Sequence, residues 1–86
     1  MYLHLGQNTI VQDKEIIGIF DLDITSQSLR TRQFLNIAER SGHVVAVTDD
    51  IPKSFVVTGR RNRQRIYISQ LSTATLLKRS ESSELV

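Results

Sequence analysis

The sequence predicts an α+β fold: a single small domain with a twisted β-sheet of five or six short strands, one main helix and a short C-terminal helix. Short apolar or alternating runs recur at residues 2–5, 9–11, 16–20, 44–47, 54–58 and 65–69, most of them bounded by turn residues. One segment, about residues 26–41, changes to a helical period, with Phe34, Ile37 and Ala38 on one face. The chain has 86 residues, 40% of them hydrophobic, which suits one domain over residues 1–79 with a polar, frayed tail at 80–86.

Each element has its own local reason. Tyr2-Leu3-His4-Leu5 alternates and is closed by the turn signal Gly6-Gln7-Asn8, after which Thr9-Ile10-Val11 forms a second strand. Ile16-Ile17-Gly18-Ile19-Phe20 is nearly continuous in apolar residues, the pattern of a central strand covered on both faces. Gly18 within it marks a bulge or a close approach by another backbone. Thr25 is expected to cap the main helix, with Ile24 and Leu29 spaced as a hydrophobic staple. Gly42 falls where a left-handed C-terminal cap belongs, behind Arg40. Val44-Val45-Ala46-Val47 is the next strand, and Asp49-Asp50-Ile51-Pro52 turns the chain. The runs 54–58 and 65–69 read as a hairpin, with Ile66 and Ile68 on one face and Arg65, Tyr67 and Ser69 on the other. Ser72 caps the last helix, about residues 72–79, where Leu71 and Leu76 form a staple and Lys78 and Arg79 suit the helix dipole.

Charge is informative once divided along the chain. Residues 1–50 carry four cations and seven acids, whereas residues 51–80 carry seven cations and no acid. The formal net charge of +2 therefore hides a dipolar molecule with a basic C-terminal third. Segregation of this kind suits either a polyanion on the basic side or charge pairing between copies.

The residues offer little for catalysis, and an enzyme is not expected. There is no cysteine, which excludes disulfides, thiolate zinc sites and a cysteine nucleophile. His4 and His43 are the only histidines, without a second ligand at metal spacing, and read as surface or strand-end residues. Asp21 and Asp23 read as acids favouring the start of the following helix. The four glycines form neither a dinucleotide fingerprint nor a phosphate loop, so no cofactor or metal is expected. No apolar run approaches the roughly 20 residues of a membrane span, and no cationic leader with an apolar core opens the chain. A cytoplasmic location without membrane partners is the expectation.

The strongest local signal is Gly59-Arg60-Arg61-Asn62-Arg63-Gln64-Arg65, four guanidiniums at an expected hairpin tip with no acid adjacent in sequence. The planar fork of arginine suits two phosphate oxygens at once, and a β-ribbon fits a DNA groove. Arg60, Arg61, Arg63 and Arg65 are therefore candidate phosphate contacts on double-stranded DNA, with Lys53 as a lesser contributor. The same segment also suits a solvated basic loop, or one that pairs with the acidic half of a neighbouring copy.

Tyr2-Leu3-His4-Leu5-Gly6, Ile16-Ile17-Gly18-Ile19-Phe20-Asp21, Pro52-Lys53-Ser54-Phe55-Val56-Val57 and the stretch from Ile66-Tyr67-Ile68-Ser69 to Leu76-Leu77-Lys78-Arg79 occur in order with no large gap. Together they resemble the extracellular matrix regulatory protein B family of Gram-positive bacteria, in the RemA/RemB-like group. The resemblance implies a small regulator of biofilm matrix expression. It also implies the properties of the A-type proteins, which bind DNA and assemble into homo-oligomeric rings presenting an arginine-rich segment. A paralogous regulator is a further partner compatible with it. In the A-type pattern, Gly-Arg-Arg and a further arginine precede the strand that corresponds to 54–58. Here Asp49-Asp50-Ile51-Pro52-Lys53 stands there, and the arginines follow the strand instead. The DNA-binding role transfers by chemistry, not by position.

Overall fold

Backbone turns that only a few residues accept open the fold. Gly6 (φ 122°) and Gln7 (φ 45°) reverse the chain between β1 (Tyr2–Gly6) and β2 (Thr9–Gln12), an antiparallel pair with a register shift between His4 and Gly6. The computed structural model describes residues 2–25, 27–47, 50–60 and 63–81. Of Thr25 and Arg60 it describes the backbone alone, and Asp49, Arg61, Asn62 and residues 82–86 lie outside it.

After a 3-10 turn (Asp13–Glu15) come β3 (Ile16–Asp21), a one-turn α1 (Leu22–Thr25), the main helix α2 (Leu29–Arg40), β4 (Val44–Ala46), β5 (Ser54–Arg60), β6 (Arg63–Ser69) and α3 (Thr73–Glu81). The α+β class and the six strands agree with the sequence reading. The strands form two sheets, however, not one: the β1–β2 hairpin, and a four-stranded sheet in the order β3-β5-β6-β4. In the larger sheet β3, β5 and β6 are antiparallel neighbours, while β4 runs parallel to β6.

Alternation along β5 divides the core in two. Val56 faces a cluster with Leu3, Leu5 and Val11 of the β1–β2 hairpin, Leu76 of α3 and Val47, which follows β4. Phe55 and Val57 face the other side, packed with Ile66 and with Ala38 of α2. Leu5, Val56, Ile66 and Leu76 are fully buried, and each such side chain contributes about 1.5–3 kcal/mol of burial. The four-stranded sheet is thus a middle layer between the hairpin with α3 and the helix α2.

One expectation is corrected by this arrangement. β3 is an edge strand, and Ile17 and Phe20 are exposed. The central positions belong to β5 and β6, because hydrogen-bond pairing and not apolar content decides which strand is flanked on both sides. The bulge expected at Gly18 is present as a register shift between Ile16 and Gly18. The close neighbour of Gly18 is a ring and not a backbone: a Cβ there would come within 2.6 Å of the Phe20 side chain, which stacks on Phe55 at 5.0 Å between centroids.

The main helix begins three residues later than expected, at Leu29. Asp21 accepts the amide of Ile24 at 3.0 Å and so caps α1, while Ser28 accepts the amide of Thr31 at 3.4 Å and caps α2. Ile24 and Leu29 remain exposed instead of forming a staple. The C-terminal end follows expectation. Gly42 (φ 74°) donates to the Glu39 carbonyl at 3.1 Å and His43 to the Ala38 carbonyl at 2.9 Å, a Schellman closure. Ser72 caps α3, accepting the amide of Thr75 at 3.1 Å, and α3 extends past the expected end to include Ser80 and Glu81.

Candidate nucleic-acid interface

Arg60, Arg63 and Arg65 lie on strand, not on loop. The β5–β6 ladder continues from Ser54↔Ser69 through Thr58↔Arg65 and Gly59↔Gln64 to Arg60↔Arg63, leaving only Arg61 and Asn62 to connect the strands. Its neighbours stop earlier. β3 reaches β5 only as far as Thr58, and β4 begins to pair with β6 at Ile66. Among the described residues the Gly59↔Gln64 and Arg60↔Arg63 rungs have no strand on either side and carry Arg60, Arg63 and Gln64 out of the sheet, while Arg65 pairs with Thr58, which β3 still flanks. Gly59 in this stretch makes room for Ile17, whose Cδ1 would lie 2.8 Å from an added Cβ.

Period-two geometry sorts the ribbon's side chains. Arg63 and Arg65 are exposed and share a face with Tyr67, while Gln64 lies on the opposite face with Ile66. Glu15, Thr58, Arg63, Arg65 and Tyr67 line a hollow of about 170 Å³. An acid remote in sequence therefore stands beside the two arginines. On the β4 side, Gly42, His43, Arg63, Gln64 and Arg65 line a second hollow of about 240 Å³.

Lys53 belongs elsewhere. Its amide donates to the Ser69 carbonyl and its carbonyl accepts from Leu22, both at 2.9 Å, at the opposite end of β5 from Arg60. Seven residues of strand separate the two positions, roughly 23 Å at about 3.3 Å per residue. The structure thus brings Arg63 and Arg65 together on the ribbon with the backbone of Arg60, and leaves Lys53 apart. Arg61 lies outside the described residues.

Asp21 is a helix cap. His4 lies on β1, its carbonyl 3.5 Å from Arg79 Nη1. Among the described residues no group of three His, Asp or Glu side chains is placed to hold a metal ion. Nor is any described helix long and apolar enough to cross a membrane.

An open groove of about 370 Å³ was not foreseen from the sequence. It runs between the sheet and α2, lined by Ile17, Phe20, Phe34, Phe55 and Val57 with Arg30 and Gln64. The apolar run of β3 carries the signal, but the same pattern suits a strand buried on both faces.

These features define a small α+β protein with a free basic ribbon at one end of its sheet and an apolar groove along an edge. Residues 2–79 match the RemA-like family, described as extracellular matrix regulatory protein A-like, and the chain belongs to that family. It is similar to Extracellular matrix regulatory protein B of Bacillus subtilis (strain 168), with 38% identity over 81 residues that cover 94% of this chain and 91% of that protein.

Proposed function

We propose that this protein is a DNA-binding regulator of extracellular-matrix and biofilm genes, active in the cytoplasm as a ring-shaped homo-oligomer. The observation that carries the reading is the ribbon: it outruns both flanking strands and presents Arg63 and Arg65 to solvent. Arg60 and Arg61 complete the basic set, and Lys53 adds a weaker contact. An antiparallel ribbon of this width fits the major groove, with guanidiniums on the phosphates. Membership of a family described as matrix regulatory proteins supports the regulatory role. The exposed apolar edge at Ile17 and Phe20 supports self-association, which multiplies one modest basic patch along a duplex.

The experiment is fluorescence anisotropy of a labelled duplex at several salt concentrations. If each subunit neutralises about three phosphates, its contribution to the slope of log K against log salt is roughly −2.7. Binding that is absent even at low salt would refute the reading.

A second reading is an oligomeric scaffold without DNA binding of its own, with DNA contacts left to a paralogous partner. The position of Glu15 beside Arg63 and Arg65 favours it, since it indicates that the ribbon accepts a carboxylate neighbour. In that case the basic ribbon closes contacts between subunits, and the assembly loosens in high salt while duplex binding is absent.

A further inference from the structure

The open edge of β6 beside His43 contains a built recess that groove insertion by the ribbon leaves unused. β4 pairs with β6 only from Ile66 onward, so, among the described residues, positions 63–65 have β5 on one side and no strand on the other. Across this edge Ile66 donates its amide to the His43 carbonyl at 2.9 Å. Amides two residues apart on a strand point the same way, so the Gln64 amide also faces the open edge. There it meets the hollow lined by Gly42, His43, Arg63, Gln64 and Arg65, none of them acidic.

His43 is held in place by its backbone at both ends. Its amide donates to Ala38 and its carbonyl accepts from Ile66, each at 2.9 Å. The negative end of α2 is hydrogen-bonded before it reaches the hollow, because Ser41, Gly42 and His43 donate to the carbonyls of Ile37, Glu39 and Ala38. His43, Arg63 and Arg65 thus line, with the edge-facing backbone N–H of Gln64, a space larger than one tetrahedral oxyanion, while Arg63 and Arg65 also border the hollow that holds Glu15.

We infer that this hollow is a phosphate-binding site, with the His43 imidazole, the Arg63 and Arg65 guanidiniums and the Gln64 amide as its donors. The shared chemistry is a single phosphate group, either a phosphodiester of duplex DNA or a free phosphate compound. The first source rests on the DNA-binding reading above; the site itself does not.

Two arms separate the cases. In the first, inorganic phosphate is added to the full chain at constant ionic strength while amide and imidazole resonances are followed by NMR. Saturable shifts are expected at the Gln64 amide and the His43 ring, weakened about fivefold to tenfold by His43→Ala and lost in Arg63→Ala. His43 is exposed and anchored through its backbone, so His43→Ala keeps the fold. In the second arm, His43→Ala is expected to weaken duplex binding by about fivefold, which assigns the phosphodiester as the source. Saturable phosphate binding without any duplex binding would uphold the site, assign it to a free phosphate compound and refute the DNA reading. Duplex binding equal in both proteins, with His43 and Gln64 unmoved by phosphate, would overturn the site and leave the ribbon reading intact.

Discussion

The hydroxyl of Ser69 donates to the carbonyl of Leu5 at 2.5 Å, across a sequence separation of 64 residues. The same oxygen accepts the amide of Leu71 at 3.0 Å, and Ser69 is fully buried. One side chain thus fastens the β1–β2 hairpin to the end of the central ribbon and to the approach of α3. Ser69→Ala leaves a buried donor and a buried acceptor without partners, and a loss of about 1–3 kcal/mol is expected. Urea unfolding should show a lower midpoint at an unchanged slope.

Gly42 provides a different kind of test. No atom lies within 4 Å of a Cβ built there, so Gly42→Ala meets no clash and its cost comes from the left-handed backbone alone. That cost is about 1–2 kcal/mol, or roughly 4–8 °C in Tm per kcal/mol for a domain of this size. Thermal unfolding followed by far-UV circular dichroism measures it. An unchanged Tm would mean that the Schellman closure does not hold the end of α2.

Arg63 and Arg65 should be separable from the fold. Replacing both with alanine is expected to reduce the magnitude of the salt slope by about 1.8, two phosphates at roughly 0.9 each, without altering the far-UV spectrum. Glu15→Gln removes the acid from the same hollow, and duplex binding should tighten by about twofold to fivefold at low salt. Weaker binding on that change would assign Glu15 a role in holding the arginines in position.

The groove predicts an interface. Ile17 is 65% exposed, so Ile17→Asp should leave the isolated subunit's stability within about 0.5 kcal/mol. It should nevertheless lower the sedimentation mass if the edge of β3 is a subunit contact. A mass unaffected by both Ile17→Asp and Phe20→Glu would move the contact to another surface.

Local chemistry made much of this molecule legible. Gly42 and Ser72 mark helix ends because caps are decided within a few residues, and the paired runs around the arginines mark a hairpin for the same reason. Tertiary choices were not legible. Asp21, Thr25 and Ser28 are all residues that start helices, and only packing places one cap at Asp21 and another at Ser28. The apolar run of β3 suits a buried strand as well as an interface edge, since pairing partners are not written into the run itself. Of the candidate site, Arg63 and Arg65 stood out through their density. Glu15 and His43 did not, because the 3-10 turn before β3 and the parallel pairing of β4 with β6 bring them there from 50 and 22 residues before Arg65.

The cluster that unites Leu3, Leu5 and Val11 with Leu76 has a consequence for how the protein is made. A two-stranded hairpin alone is marginal in water, and one part of the surface that covers β1 and β2, Leu76 of α3, is encoded last. While the ribosome is still translating β6, the first strands lack Leu76, which closes the cluster they share with Val47 and Val56. Their apolar side chains therefore stay accessible to chaperones until α3 has cleared the exit tunnel. Completion of this cluster therefore waits for α3, and nascent chains halted before Leu76 should be captured by trigger-factor-type holdases while chains that include α3 are released.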